Sequence, residues 1–444
     1  MGPRLHSFFA TLVGTSVAFT SGLSLGYSSA AAFQVFFSLG WSSVFASSLN
    51  VGGLVGSLLS GYLLSKCGRR WTMCFACLTS VIGWMSLRVS SKSVYEAYSP
   101  TILFIFGRIL TGVSAGIAIP SSATYLIEIA PRESHALFCT LTQIGIVSGI
   151  MIAYIFGAWL RWEDAALVDA LISLLLLALI PSIVESPKWL FKVGRTQQAN
   201  AAHTRLSGAA SVPLCNESMY PVEEGLEHDA PLKLRARDFI LPCGAIPQAQ
   251  KSRLRVAMLL MVFQQMSGIN AILYYAESVC MIGGSSWATR CAILLGVAQL
   301  VFTVGAAFVI NRFSRKRMLQ WSSLVMAVAH SLHGALLLYD STHPLANSLG
   351  KIFILLFLLG FSFGWGPLPI LVCMDLFPTS VRGFGAAAAI AVNWITSFVV
   401  TFAFEPLGLL LGMSTLYFAF ALFCVFGYLF TGRYVPDSSK ADLL

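Results

Sequence analysis

Little of this chain is charged: Lys, Arg, Asp and Glu make up 11% of its 444 residues, against roughly a quarter in an ordinary globular protein. That deficit excludes a water-soluble fold, and with it the coiled-coil, collagen-like and disordered classes. A G-x-x-x-x-G-K-[ST] phosphate loop is missing, so no ATP-driven engine and no nucleotide cofactor is expected. Neither a paired-carboxylate nor a Ser-His-Asp arrangement is present to suggest an enzyme. The first apolar stretch lacks a basic leader and an A-x-A site, and reads as a retained helix rather than a cleaved signal. The ten cysteines lack the spacing of a secretory framework, so free thiols are expected, Cys280 and Cys291 beside a predicted outside loop included. Cys74-x-x-Cys77 sits inside the apolar run Trp71 to Leu87 and reads as ordinary membrane cysteines rather than a redox or zinc pair. His330 and His333 share a helix face without a third ligand, so no metal is expected.

What is present is apolar surface, 57% of the residues by type. At ~20 residues per membrane helix, hydropathy divides the chain into spans near 8–27, 44–64, 71–88, 101–121, 137–159, 165–184, 255–278, 289–310, 318–339, 350–373, 384–404 and 408–431. The expected fold is an all-α membrane protein with twelve transmembrane helices in two pseudo-symmetric six-helix bundles. The long polar segment Lys188 to Arg255, with Pro213, Pro221, Pro231 and Pro247, separates them. The expected organisation is a first bundle over 1–187, a linker with short helices over 188–254, a second bundle over 255–432 and a tail over 433–444.

The net charge of +9 is a matter of placement rather than of acidic partners, and nucleic acid is not expected. With both termini and the linker cytoplasmic, only Arg88, Lys92, Arg161, Arg290 and Lys351 face outside and only Arg108 lies within a span. That arrangement satisfies the positive-inside rule, and its inverse breaks it. The sequon Asn216–Ser218 then lies inside, so no N-glycan is expected.

Punctuation repeats between the halves. Gly68-Arg69-Arg70 is matched by Ser314-Arg315-Lys316, Glu128-Ile-Ala-Pro131 by Asp375-Leu-Phe-Pro378, and Glu185 by Asp437. The shared offset of roughly 250 residues marks an internal duplication. Two repeats about an axis along the membrane normal place a solute site between them near the midplane.

Charges at membrane helix ends are costly unless paired. Arg69, Arg70, Glu128 and Glu185 of the first half and Arg312, Arg315, Asp375 and Arg382 of the second therefore suggest a cytoplasmic latch between the halves. Within the spans, carboxamides stand out: Gln143, Gln264, Gln265, Asn270, Gln299 and Asn393. An amide without a partner in hydrocarbon loses several kcal/mol, and each offers both donor and acceptor. A neutral polyol presents the same mixture, so these amides are the expected lining for a sugar, or else they tie helices together. Trp365, Trp394, Tyr274 and Tyr275 are candidates to stack on a ring or shut the outer mouth. Gly364-Trp-Gly-Pro-Leu-Pro369 is expected to break the tenth span beside the solute path. The pairs Gly52/Gly56, Gly112/Gly116 and Gly145/Gly149 suggest close helix packing.

These residues resemble the sugar porter family of the major facilitator superfamily over nearly the whole chain. Gln143-Ile-Gly-Ile-Val-Ser-Gly-Ile is similar to the family's QLGIVxGI, and Gln264-Gln-Met-Ser-Gly-Ile-Asn270 through Tyr274-Tyr275 to QQxSGINxxxYY. Tyr125-Leu-Ile-Glu128-Ile-Ala-Pro131, Glu185-Ser-Pro187-Lys188-Trp-Leu and Asn393-Trp394 resemble further family motifs. Gly26-Tyr-Ser-Ser29 and Gly364-Trp-Gly-Pro367 are most like the branch of intracellular glucose facilitators and insect trehalose facilitators. The resemblance implies a sugar site at Gln143, Gln264, Gln265, Asn270, Gln299 and Asn393 with Trp394, and an outer gate at Tyr274 and Tyr275. It departs from the pattern at Gln299, where the family has asparagine, and at Ile370, where it has tryptophan. Ser65, Asn311, Ser314 and His135 replace charged or glycine positions, and Asp437-Ser-Ser-Lys440 shortens the terminal motif, so the latch is expected to be thinned.

Proton-coupled members carry an aspartate where this chain has Ser28, so uniport of a neutral, glucose-like hexose by alternating access is expected, with a single chain acting as a monomer and no cofactor. Asp169 and Glu277 remain possible titrating groups for a proton-coupled symporter of a sugar or polyol. A non-transporting sensor is the other alternative. Asp442-Leu-Leu444 is loosely like a sorting signal, leaving plasma membrane and endosomal or lysosomal membrane open.

Overall fold

The computed structural model describes residues 3–32, 34, 41–97, 102–130, 134–207, 250–281, 285–310, 312–339, 344–377 and 382–437. The sequon, linker residues 208–249, Asn311 and Asp442-Leu-Leu444 lie outside them. In hydrocarbon each backbone N–H and C=O must be bonded within its own segment, so apolar runs of this length become helices. Twelve helical spans among the described residues are long and apolar enough to cross a membrane.

The first half contains α1 (Pro3–Ala31), α2 (Ser42–Lys66), α3 (Arg69–Ala97), α4 (Ile102–Ile129), α5 (His135–Trp159) and α6 (Trp162–Leu179). Two short helices follow, α7 (Pro187–Lys192) and α8 (Thr196–Ser207). Ser186 caps α7 by accepting from Trp189 N, with Pro187 at the first helical position, where its missing N–H costs nothing. The second half contains α9 (Lys251–Met266), α10 (Ile269–Tyr274), α11 (Ala276–Cys280), α12 (Ser285–Val309), α13 (Arg315–Tyr339), α14 (Pro344–Phe363), α15 (Leu368–Leu376), α16 (Arg382–Leu411) and α17 (Met413–Tyr434). The tenth span breaks between α14 and α15, as the Gly-Pro run predicts. The seventh, expected to be one helix, is in three pieces.

Glycines set the spacing in the first half. A Cβ on Gly22 would lie 1.9 Å from the Ile146 carbonyl, and one on Gly52 would lie 1.9 Å from that of Ile109. The backbones of α1 and α5, and of α2 and α4, therefore touch, as small-residue spacing allows. In the second half α13 packs on α14 and α17, and α9 on α16. The halves meet along α2 with α16 and α5 with α12, equivalent positions in the repeat. Large apolar side chains such as Leu174, Leu175, Phe308 and Leu409 point outward, as a lipid-facing surface requires.

Lys66, Arg69 and Arg70 collect with Arg315 and Lys316 at one end, the basic end. At the opposite end Cys280 and Cys291 form a disulfide, which corrects the expectation of free thiols there. The packing of α11 on α12 brings the two together, and spacing alone does not show that contact. Cys67, Cys74, Cys77, Cys139, Cys373 and Cys424 are free thiols.

Backbone contact at glycine makes a specific expectation. Gly52→Ala should destabilise the purified protein by about 2–3 kcal/mol, since the neighbouring carbonyl cannot move aside. Gly305→Ala, whose Cβ would meet only the Phe363 ring at 3.7 Å, should stay within about 0.5 kcal/mol. Thermal melts of the two variants in one detergent check the contrast.

Candidate functional site

Two interrupted helices build the centre of the molecule. Between α9 and α10, Gly268 adopts φ 84, a left-handed conformation that a side chain rarely tolerates. A Cβ there would also lie 2.6 Å from the Phe420 ring. The break leaves the Ser267 carbonyl without a helical donor, and the imidazole of His330 takes that place through Nε2 at 2.9 Å. His330 is buried against Phe357 at a ring distance of 4.3 Å, so it is a capping group for a broken helix. Among the described residues no group of three or more His, Cys, Asp or Glu is placed to hold a metal ion.

Opposite, α14 ends with Gly364 N and Gly366 N both donating to the Phe361 carbonyl. The carbonyls of Trp365 and Gly366 are then free to accept from Gln264 Nε2, at 2.6 and 3.3 Å. Trp365 itself is 1% exposed, and its ring N–H donates to Ser323 Oγ at 2.6 Å. It pins the break and does not line the cavity.

The carboxamides converge on these breaks. Asn393 Nδ2 donates to Gln264 Oε1 at 2.8 Å, and Gln265 Nε2 donates to Asn393 Oδ1 at 3.1 Å. Asn270 Nδ2 donates to Gln265 Oε1 at 2.8 Å and to Ser397 Oγ at 2.7 Å. These four, with Gln143 from α5, Gln299 from α12 and Trp394 from α16, line one cavity of about 190 Å³. Gln299 Oε1 is buried with no hydrogen-bond partner. The Trp394 ring rests on Gly53 of α2, where a Cβ would come within 2.5 Å. Ile119, Met261, Ile370 and Met374 complete the wall. A site of this kind holds a neutral ligand by exchanging amide–amide hydrogen bonds for amide–hydroxyl ones, with apolar surface against the ring's carbons.

Tyr274 and Tyr275 stand away from the basic end. Tyr274 hydroxyl donates to Asn50 Oδ1 at 3.1 Å, and Tyr275 hydroxyl to the Thr401 carbonyl at 3.0 Å. Asn50 was missed as a candidate. It is fully buried, accepts also from Ser397 Oγ at 2.9 Å and donates to Thr401 Oγ1 at 2.9 Å. It is the carboxamide of the second span, and the rule that selected the other six selects it as well.

In this form, closed at the end opposite the basic charges, the expected latch residues pair within each half. Arg69 and Glu128 form a two-pronged pair at 2.7 and 2.6 Å, and Arg315 pairs with Asp375. Both pairs lie within one half rather than between the halves, because each acid closes the helix that packs beside its own arginine. Glu185 Oε1 accepts from the backbone N–H groups of Arg69 and Arg70, capping α3. Burial pushes its carboxyl above the ordinary range, against the pull of the Ser186, Arg70 and Arg69 N–H groups. Arg312 lies in the turn between α12 and α13. Arg382 opens α16, and its side chain falls outside the described part.

The family profile described as Sugar (and other) transporter matches residues 6–443. The chain belongs to the sugar transporter family. Solute carrier family 2, facilitated glucose transporter member 8 of Bos taurus is 29% identical, over 90% of this chain and 84% of that protein. Sugar transporter ERD6-like 8 of Arabidopsis thaliana is 29% identical over 98% and 91%, and the facilitated trehalose transporter Tret1 of Culex quinquefasciatus is 28% identical over 88% and 74%. In fold, this sugar transporter is similar to the major facilitator superfamily proton:xylose symporter XylE bound to 6-bromo-6-deoxy-D-glucose, with a TM-score of 0.81 and 22% identity over 98% and 97% of the two chains. It is thus a membrane transporter with the major facilitator fold, and not an enzyme.

If His330 caps the broken seventh span, His330→Phe should destabilise the protein by about 1–3 kcal/mol, the cost of a buried carbonyl left without a donor. His330→Asn, which keeps an N–H, should recover part of that loss in the same melting assay.

Proposed function

We propose that the chain carries a neutral hexose down its gradient by alternating access, with the basic end and both termini cytoplasmic. The observation that carries this reading is the lining of the central cavity: linked carboxamides and apolar carbons, with no carboxylate among the described residues. Such a lining matches hydroxyls of an uncharged polyol: Gln264, Gln265, Asn270 and Asn393 exchange internal hydrogen bonds for ones to the sugar, and Gln299 Oε1 accepts from it without giving one up. Gln143, Gln264, Gln265, Asn270, Gln299 and Asn393 hold the hydroxyls, and Trp394 faces the ring. The facilitated glucose and trehalose transporters among the relatives support a sugar of that class.

Uniport is supported by the surroundings of Arg108. This fully buried guanidinium donates to the Ser24 carbonyl at 2.9 Å and to Ser28 Oγ, and its flat face lies 4.8 Å from the centre of the Phe45 ring. Ser28 occupies the place where a proton-carrying aspartate resembling the family's would sit. One observation favours a second reading, proton-linked symport: Asp169 is 1% exposed, and neither of its oxygens has a hydrogen-bond partner. A buried carboxylate in that condition is costly while charged. The membrane concerned is the plasma membrane or an endosomal or lysosomal one.

Counterflow of labelled glucose, fructose, galactose, trehalose and inositol in proteoliposomes, with and without a pH gradient, tests both readings. Uniport predicts counterflow of at least one hexose that the gradient does not change, and acidification with uptake selects symport instead. Gln265→Ala should abolish counterflow, and retention at the wild-type rate would remove the site. Ser28→Asp should make uptake respond to the pH gradient.

A further inference from the structure

The end opposite the basic charges is closed by hydrogen bonds that run from one half to the other. Tyr154 hydroxyl donates to the Leu273 carbonyl at 2.6 Å, the Glu277 N–H donates to Ser29 Oγ at 2.9 Å, and Asn50 ties α2 to α10 and α16. These contacts are neutral. Farther out lies a charged one, Glu405 of α16, whose Oε2 accepts from Ser43 Oγ at 2.9 Å and from Ser42 Oγ.

Ser42 and Ser43 are the first residues of α2, and the preceding Trp41 supplies no side-chain cap. The start of a helix carries unbonded N–H groups and a partial positive charge. A carboxylate from the second half therefore sits against the uncapped start of a helix from the first. Hydrogen bonds to an ionised acceptor are roughly twice as strong as neutral ones. Beside Glu405 lies a separate cavity of about 180 Å³, lined by Tyr275, His333, Phe404 and Tyr417, with room for the side chain to swing aside.

We propose that Glu405 is the outer latch of the carrier: its hold on Ser42 and Ser43 sets the balance between the inward-facing and outward-facing forms. The proposal rests on the alternating-access reading. Glu405 is a positioning residue, since it touches the gate and not the central cavity. Parting the halves at this end must take the donors of α2 away from the carboxylate, while parting them at the basic end leaves the contact intact. The latch therefore weighs on one side of the cycle only.

That asymmetry gives a signature that damage to the fold does not. When a two-state balance moves, apparent affinity changes with the fraction of carrier open to each side. In proteoliposomes of known orientation, Glu405→Gln should lower the half-saturating sugar concentration several-fold at the outer face and raise it at the inner face. Ser42→Ala with Ser43→Ala should reproduce the shift, and adding Glu405→Gln to that pair should change little more, as expected of partners in one interaction. Movement of both half-saturations in the same direction, no movement, or full additivity with the serine variants would overturn the latch. A sugar-free readout separates this idea from the hexose reading. A cysteine introduced at Leu25, which lines the central cavity together with the free Cys139, should, in a Cys139→Ser background, react faster with an impermeant maleimide from the outer side in Glu405→Gln than in the parent. If that acceleration appears while no sugar in the panel moves, the latch stands and the hexose reading falls; if it is missing, the latch falls.

Discussion

Polar groups at the middle of a bilayer have no water to turn to, and most of the structure follows from how this chain satisfies them. Breaking two helices releases backbone groups that an intact helix would have used, and each release is met at once by a side chain. His330 meets the Ser267 carbonyl, and Gln264 meets those of Trp365 and Gly366. The breaks are tolerable because they line a cavity and not lipid. The same economy produces the central site, where Gln264, Gln265, Asn270 and Asn393 bond one another while retaining hydrogen-bonding capacity for a solute.

The closest charge pairs and the contacts that cross the seam lie at opposite ends of the molecule. The pairs Arg69 with Glu128 and Arg315 with Asp375 each belong to one half, where they stiffen a bundle and move with it. The contacts that cross the seam at the opposite end are hydroxyls, amides and one carboxylate. The touching backbones of α1 with α5 and α2 with α4 make the first half a body that resists bending, and rocking of such bodies is the usual motion of carriers with this repeat.

Some of this was legible in the chain itself because the period, length and punctuation of apolar runs are local properties. Hydropathy placed the spans, and the glycine pairs of α2 and α4 announced the contact now seen between them. The Gly-Pro run announced the break after Phe363. The break at Gly268 was not legible in that way: one glycine inside an apolar run is often tolerated, and the Phe420 ring that leaves no room for a Cβ there comes from a distant helix. Asn50 was legible but passed over. Glu405, a lone acid near the end of the eleventh span, acquires meaning from the two serines it meets.

Composition and spacing by themselves determined that this is a helical membrane protein of twelve spans with a duplicated punctuation and carboxamides inside its spans, since apolar runs of this length must bond their own backbone and a repeat is a property of order alone. Tertiary structure alone decided which partners those carboxamides meet. It decided that Arg69 meets Glu128 and Arg315 meets Asp375, that Cys280 meets Cys291, and that Asn50 and Glu405 bond across from one half to the other. Each of these depends on which faces of distant helices come together, and that relation is a property of packing with no local trace in the order of residues.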